Sequence, residues 1–184
     1  MNRTLIPGSP EFSGLFERFE HTAYRLETLQ AYSAPTEAEP LAAFLDGRQP
    51  EAHPGKRSWI ALVRGARDRG KIMQRVHAVT EPLSSYLRFE IGWSYQLNVE
   101  AGEDIRILPA PWPHGLPHAD YWLFDSRDLV QLAYDQNGQM TGAQLIDDPA
   151  EIVDACFWRD AALHAAVPYH EYLASSRSPL RPVS

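Results

Sequence analysis

Apolar residues near the start of the chain recur every three or four positions, which is the period of an amphipathic helix. Ser9 supplies an N-cap, and Pro10 suits the first helical position because no hydrogen bond is lost there. The pattern predicts a helix of about four turns with an apolar face of Phe12, Leu15, Phe16, Phe19, Ala23 and Leu26. A shorter helix is predicted over Glu39–Asp46, between Pro40 near its start and Gly47 at its stop.

Two apolar-rich segments follow, Trp59–Arg67 and Lys71–Val79, separated by residues 68–70 with the sequence Asp-Arg-Gly. A glycine between two such runs is typical of a β-hairpin, so both segments are predicted to be strands. Alternation along the second strand places Arg75 and His77 on the same face.

The next predicted helix opens at Thr80 and Pro82, continues toward Val99 and stops at Gly102. After it, short apolar runs bounded by turn residues predict strands. These strands are Asp104–Pro109, Tyr121–Phe124, Leu129–Tyr134 and Met140–Ile146.

Asn137 and Gly138 separate the last two strands, and Asn-Gly is a strong signal for a tight hairpin. Asp148 then offers an N-cap for a C-terminal helix, which Pro168 interrupts before a short helical turn through Leu173. The order of elements predicts an α+β fold, with a curved, mostly antiparallel sheet of about six strands and helices packed on one face. No linker divides the chain, so residues 1–175 are predicted to form a single domain and residues 176–184 a flexible tail.

Composition narrows the classes of function. The chain has 184 residues, 44% of them hydrophobic and 22% charged, as in ordinary globular domains. A net charge of −7 argues against direct binding of nucleic acid or of acidic membranes. The lone Cys156 excludes an internal disulfide framework, and no apolar run approaches the roughly 18–20 residues that span a bilayer. A cytoplasmic location is therefore expected.

One loop carries the residue types of a metal site: His114, His118 and Asp120. The spacing of four falls on a loop with Pro and Gly, where it does not place both imidazoles on one face as a helix would. A solvated loop without metal is therefore the favoured interpretation. The chain has no Walker loop and no G-x-G-x-x-G motif, so no cofactor is expected.

Charged residues of the predicted helices and strands could meet in a polar cleft. The predicted cleft residues are Arg25, Glu27, Arg75, Glu90, Glu103, Arg106 and Asp125. The arginines and acids could equally satisfy one another in a partly buried polar seam, and both possibilities stay open here. Trp112 stands between two prolines in a loop and is a further candidate contact for a partner or ligand.

Four stretches of the chain are similar to a known family: FSGLFERFEHTAYRLETLQAY, GKIMQRVHAVTEPLSSYLRFEI, AGEDIRIL and DYWLFDSRDLVQLAYDQNGQMTG. They resemble an uncharacterised domain-of-unknown-function family abundant in actinobacteria such as streptomycetes, over roughly residues 7–173. The resemblance implies a stand-alone cytoplasmic domain, often encoded near helix-turn-helix regulators, and it supplies no catalytic residue. The recurring positions of the family correspond to Arg25, Leu26, Glu27, Arg75, Tyr86, Glu90, Gly102, Glu103, Asp104, Arg106, Asp120, Trp122 and Asp125.

Three functions are compatible with these features. The first is a non-enzymatic regulatory or sensing domain that binds a protein partner, such as a transcriptional regulator, or a small ligand. The second is a hydrolase or nuclease-like enzyme that uses the clustered carboxylates with the arginines as an anion clamp. The third is a structural subunit or homodimer. The absence of a catalytic motif favours the first.

Overall fold

The computed structural model describes residues 2–175, so the predicted tail at 176–184 lies outside the described residues. Strand β1 (Arg3–Leu5) precedes helix α1 (Pro10–Arg18), and the Ser9 side chain accepts the Phe12 N–H as the predicted N-cap. Helix α1 ends at Arg18, and strand β2 (Thr22–Glu27) follows. The predicted continuation of α1 to Leu26 is therefore wrong. Neighbouring strands on both sides form backbone hydrogen bonds with β2. These hydrogen bonds outweigh the helical spacing of its apolar residues.

Helix α2 (Ala38–Leu45) agrees with the prediction, but helix α3 (Pro54–Asp68) replaces the predicted strand over residues 59–67. Trp59, Val63 and Ala66 recur at helical spacing and pack into the core, so the apolar run is helical rather than extended. Gly70, with φ of +75°, then turns the chain from the helix into strand β3, and the predicted hairpin at this point is wrong.

Strand β3 (Ile72–Val79) is present as predicted. The predicted helix between Thr80 and Gly102 is also present, as α4 (Ser85–Phe89), a π-helical turn (Glu90–Ser94) and α5 (Tyr95–Ala101). Gly102 ends it with φ of +115°.

The C-terminal half follows the predicted order closely. The remaining elements are strands β4 (Asp104–Pro109), β5 (Tyr121–Phe124), β6 (Asp128–Tyr134) and β7 (Met140–Ile146), helix α6 (Pro149–Ala165), strand β8 (Val167–Pro168) and helix α7 (Tyr169–Ser175). The hairpin between β6 and β7 and the Asp148 N-cap of α6 are confirmed. Among residues 2–175, no helix has both the length and the apolar character needed to span a membrane.

All eight strands form one sheet in the order β1-β7-β6-β5-β2-β3-β4-β8. Strands β2, β3 and β4 are mutually parallel at its centre, whereas the other pairs are antiparallel. The α+β class is confirmed, but the expectation of about six mostly antiparallel strands is wrong. The difference arises at β2 and α3, because β2–α2–α3–β3 is a parallel crossover and not a helix followed by a hairpin.

Helices cover both faces of the sheet rather than the single face that was predicted. Ala23 and Met73 point to one face and pack with residues of α1 and α3. Leu26 and Val76 point to the other face and pack with Ala155 and other residues of α6. The central strands are therefore buried on both sides, as is usual for parallel strands.

Candidate functional site

The centre of the site is a pair of parallel strands whose polar side chains stand next to each other. Arg25 of β2 is in register with Arg75 of β3, and Glu27 is in register with His77. All four side chains are buried. They lie toward the carboxyl ends of the parallel strands, where ligands bind in open sheets with helical crossovers.

Glu27 joins the two arginines. Its Oε1 accepts hydrogen bonds from Arg25 Nε at 3.3 Å and from Arg75 Nη1 at 2.7 Å. Arg75 Nε donates to Glu103 Oε1 at 2.8 Å. Burial alone would raise the pKa of the Glu27 carboxyl, but Arg75 and Arg25 hold that pKa well below its usual range. Glu27 is therefore ionised, and it forms one ion-paired network with the arginines.

Two further carboxylates lock this network to neighbouring elements. Glu103 Oε2 accepts from Trp59 Nε1 at 3.1 Å and from Asn98 Nδ2 at 2.8 Å, which ties β4 to α3 and α5. Asp120 Oδ2 accepts from Arg25 Nη2 at 3.0 Å and from the Tyr32 hydroxyl at 2.5 Å. Asp120 is thus an internal partner of Arg25 and not part of a histidine loop.

The Tyr95 hydroxyl lies between Glu27 and His77. It lies 2.6 Å from His77 Nδ1 and 2.8 Å from Glu27 Oε2. His77 Nε2 lies 2.8 Å from the Leu29 carbonyl oxygen, so that nitrogen carries the proton of the neutral ring. Burial lowers the pKa of His77, in keeping with a neutral ring. Burial and the nearby Glu27 charge raise the pKa of Glu90 to about 8, so Glu90 is mainly protonated at neutral pH.

Among residues 2–175, Glu27, His77 and Glu90 form the group of side chains with metal-binding potential. Their ligand atoms lie within 4.8 Å of one another. The Tyr95 hydroxyl oxygen is closer to His77 Nδ1 than either carboxylate oxygen, each of which lies 3.6 Å away. A metal ion would compete with this hydroxyl for the same atoms, so the arrangement fits a hydrogen-bonded cluster better than a metal centre.

A cavity of about 600 Å³ opens above the ion-paired network. Its polar lining includes Arg25, Glu27, Arg75, Glu90 and Lys56. Aromatic walls surround these groups, formed by Phe16, Trp59, Trp122, Tyr32, Tyr86 and Tyr134. The volume is that of a typical small-molecule site, and the mixture of apolar walls with a few fixed polar groups is usual for such sites.

Three buried polar atoms of cavity-lining residues have no hydrogen-bond partner in the part of the chain that the structure describes. They are Arg25 Nη1, Glu90 Oε2 and Asn98 Oδ1. An unpaired buried polar atom costs about 1–3 kcal/mol. Each of these atoms is closed off from solvent, so the network leaves three buried hydrogen-bonding groups unpaired beside the cavity.

The structure brings together five of the predicted cleft residues, namely Arg25, Glu27, Arg75, Glu90 and Glu103. The expectation that Arg106 and Asp125 join them at one cleft is not met by the geometry. Trp112, the separate candidate contact, also lies away from the cavity, and each of the three residues has a different local role.

Arg106 points to the opposite sheet face from Arg75. It pairs with Asp104 at 3.1 Å and donates to the Leu163 carbonyl on α6 at 3.2 Å. The alternation along β4 explains this, because the residues of that strand that pack toward α4 and α5 are Ile105 and Ile107.

Trp112 is half-buried against the α6 side of the sheet and donates from Nε1 to the Val79 carbonyl at 3.2 Å. Its ring lies 5.5 Å from that of His118, and both His114 and His118 are exposed.

Asp125 accepts the backbone N–H groups of residues 20–22 and so fixes the turn between α1 and β2.

Sequence reasoning did not identify Tyr95 or Lys56 as site residues. Tyr95 lies among several aromatics of a predicted helix, and nothing in its spacing distinguishes it from core residues. Lys56 falls between two predicted elements, Glu39–Asp46 and Trp59–Arg67, and lies in the first turn of α3. One signal was available: Lys56 is one of only two lysines in a chain that uses arginine for nearly all its basic residues.

Comparison with known proteins supports the fold and gives no function. The structure is similar to that of Nuc from Salmonella typhimurium, a phospholipase D family member, with a TM-score of 0.55, 10% sequence identity, and coverage of 92% of this chain and 96% of that chain. At this identity the likeness concerns the fold alone. No curated protein matches the chain. The family model of a domain of unknown function, DUF6879, matches residues 10–174, and the chain belongs to that family.

Proposed function

We propose that this protein is a sensing domain that binds a small molecule in the cavity above the Arg25–Glu27–Arg75 network. The observation that carries the proposal is a 600 Å³ cavity whose aromatic walls surround a few fixed, buried polar side chains. A preformed site of this kind binds without first ordering its own side chains, which lowers the entropic cost of association.

The chemistry of the lining indicates the kind of ligand. Arg25 and Arg75 both lie over the Trp122 ring, at 5.7 and 6.0 Å from its centroid, so the cationic groups and the aromatic wall are adjacent. With Glu90 protonated, the buried charges of Arg25, Arg75 and Lys56 balance those of Glu27, Glu103 and Asp120. A flat aromatic molecule with a hydrogen-bond acceptor, and without a large net charge, matches both features.

The proposal extends to a regulatory role in the cytoplasm. The ion pairs occupy most of the carboxylate oxygens below the cavity, which suits ligand recognition better than catalysis by a carboxylate nucleophile. A protein partner, such as a transcriptional regulator, would then respond to the ligand-bound domain. Co-purification of the tagged protein with and without the bound compound would test that step.

Ligand binding is tested by a thermal-shift screen of flat aromatic compounds, followed by calorimetry on the hits. At a ligand concentration one hundred times Kd, the expected stabilisation is about 2.7 kcal/mol. Ser58 is exposed and lines the cavity, whereas Arg64 is exposed on the same helix and does not. Ser58→Trp should therefore abolish the shift and Arg64→Trp should preserve it. Equal shifts in both variants, or no hit for the wild type, would contradict the proposal.

A second candidate function is hydrolysis, favoured by the protonated Glu90 carboxyl beside His77. A carboxyl with a pKa of about 8 is a suitable general acid at neutral pH. The expected activity is cleavage of a phosphodiester probe such as bis(p-nitrophenyl) phosphate. Glu90→Gln should abolish it and Arg106→Gln should not, and turnover that survives Glu90→Gln would eliminate this role.

A further inference from the structure

Lys56 is a buried lysine in the wall of the cavity. It belongs to the first turn of α3, is only 8% exposed, and lines the same space as Glu90 and Trp59. Lysine is rarely buried unless it is paired with an acid. Its position beside the partly positive N-terminus of a 15-residue helix adds to the cost of holding an ammonium charge there.

Among the buried cations of residues 2–175, Lys56 is the one without a carboxylate partner. Its Nζ donates one hydrogen bond, to Ser94 Oγ at 2.7 Å, and no carboxylate in that range lies within 4.0 Å of it. Arg25 and Arg75, by contrast, each pair with two carboxylates. A buried ammonium without a paired acid tends to lose its proton.

The titration behaviour agrees with this geometry. Burial lowers the pKa of Lys56 to about 8, and the more distant carboxyl of Glu90 opposes the decrease when it is ionised. A larger fraction of the amine is therefore neutral at physiological pH than for a solvated lysine. Only the neutral amine has the lone pair that a nucleophile needs.

We propose that Lys56 is a nucleophile that forms a Schiff base with an aromatic aldehyde or similar carbonyl compound bound in the cavity. The inference rests on the proposed ligand-binding function and specifies the chemical class of the ligand. The aromatic walls would hold the ring of the compound, and the carbonyl carbon would lie against Nζ.

The reaction needs no other reactant. The lone pair of the neutral amine attacks the carbonyl carbon, and the carbonyl oxygen takes up a proton as the nitrogen loses one, which gives a carbinolamine. The hydroxyl group of that intermediate then leaves as water when it receives a proton, for which the protonated carboxyl of Glu90 in the same cavity is a source. Loss of the remaining N–H proton of the resulting iminium returns that proton and leaves the neutral imine, so the products are the imine and one water molecule.

The second lysine of the chain is an internal control. Lys71 is half-buried, with Nζ bonded to the Phe19 carbonyl oxygen and lying 4.6 Å from the Phe19 ring centroid. It does not line the cavity. Site-specific labelling therefore has only these two side-chain amines and the N-terminal amine to distinguish.

The experiment treats the full chain with limiting salicylaldehyde and sodium cyanoborohydride, and maps the reduced adduct by peptide mass spectrometry. We expect labelling of Lys56 to be roughly tenfold faster than that of Lys71 at pH 7.5, with a rate that rises with pH through about 8. Denaturation in guanidinium should remove the preference. Lys56→Arg and Lys56→Met should lose the adduct, and Lys71→Arg should retain it.

Equal labelling of both lysines in the folded wild type, or a preference unchanged by denaturation, would overturn the inference. The wild-type measurement does not depend on whether a Lys56 variant folds. Failure here is also distinct from failure of the proposed function. A non-covalent aromatic compound that stabilises the wild type and Lys56→Arg equally would leave the binding function intact while removing the role of Lys56.

Discussion

Replacing Glu90 with Gln should make the protein more stable at alkaline pH and should flatten its pH dependence. Glu90 is 6% exposed, and burial beside Glu27 raises its pKa from the ordinary 4.5 to about 8. A raised folded-state pKa means that the folded protein holds a proton that the unfolded chain releases. The stabilising contribution is therefore complete below pH 4.5 and is lost as pH rises toward 8.

The size of this effect follows from the two pKa values. A difference between about 8 and 4.5 corresponds to roughly 5 kcal/mol of unfolding free energy over that interval. Lys56 lies close enough to relieve part of the cost once Glu90 ionises, so we expect a decrease of at least about 2 kcal/mol in the wild type. Gln keeps the shape of the side chain and cannot ionise.

Urea denaturation followed by circular dichroism at several pH values between 4.5 and 8.5 measures this directly. The wild type should lose stability across the interval, and Glu90→Gln should lose at least about 2 kcal/mol less. Asp68→Asn, which removes an exposed carboxyl, should follow the wild-type slope. Parallel profiles for wild type and Glu90→Gln would refute the assignment of a buried proton to Glu90.

Two further substitutions test the packing around the site by the same denaturation assay. Glu27→Gln should cost about 3–5 kcal/mol because it leaves Arg25 and Arg75 underpaired in a buried site, whereas Asp68→Asn at the surface should cost less than about 1 kcal/mol. Gly138→Ala should cost about 2–3 kcal/mol, since its φ is +78° and a Cβ would lie 2.5 Å from the Ala31 carbonyl oxygen.

Each of these variants has an outcome that would contradict the reasoning. A Glu27→Gln protein as stable as Asp68→Asn would show that the ion-paired network contributes little to the fold. Gly70 has a similar φ of +75°, but a Cβ at that position would meet no atom within 4 Å, so Gly70→Ala isolates the backbone cost of about 1 kcal/mol. Equal losses for Gly70→Ala and Gly138→Ala would exclude the steric contribution.

Elements marked by caps and turns were predictable from the sequence. The Asn-Gly hairpin between β6 and β7 and the Asp148 cap of α6 depend on local chemistry, and both are present. The alternation along β3 also placed Arg75 and His77 on one face correctly. Such features are fixed by neighbours along the chain.

Two errors arose where an apolar run fits both helix and strand. Residues 19–27 have helical spacing but lie mainly in β2, since β3 and β5 supply hydrogen-bonding partners on both sides. Residues 59–67 have the composition of a strand but belong to α3. In both cases tertiary contacts decide the structure, and these contacts are invisible in the spacing of apolar residues.

The charged groups of the site were largely predictable, whereas their connections were not. Arg75 and Glu103 could be anticipated from a strand face and a strand end, whereas Arg25, Glu27 and Glu90 lie in or next to predicted helices and were indicated by the family resemblance. The link through Tyr95 and the placement of Lys56 in the cavity depend on how α3 and α5 pack above the sheet. The sequence alone contains no such distances.

Crystallographic fragment screening is the most direct test of the central claim that the cavity binds a small molecule. Crystals soaked with flat aromatic fragments should show density inside the cavity that Trp59, Arg25 and Arg75 line. Fragments found only elsewhere, for example beside Trp112, with an empty cavity at saturating concentration, would contradict the account.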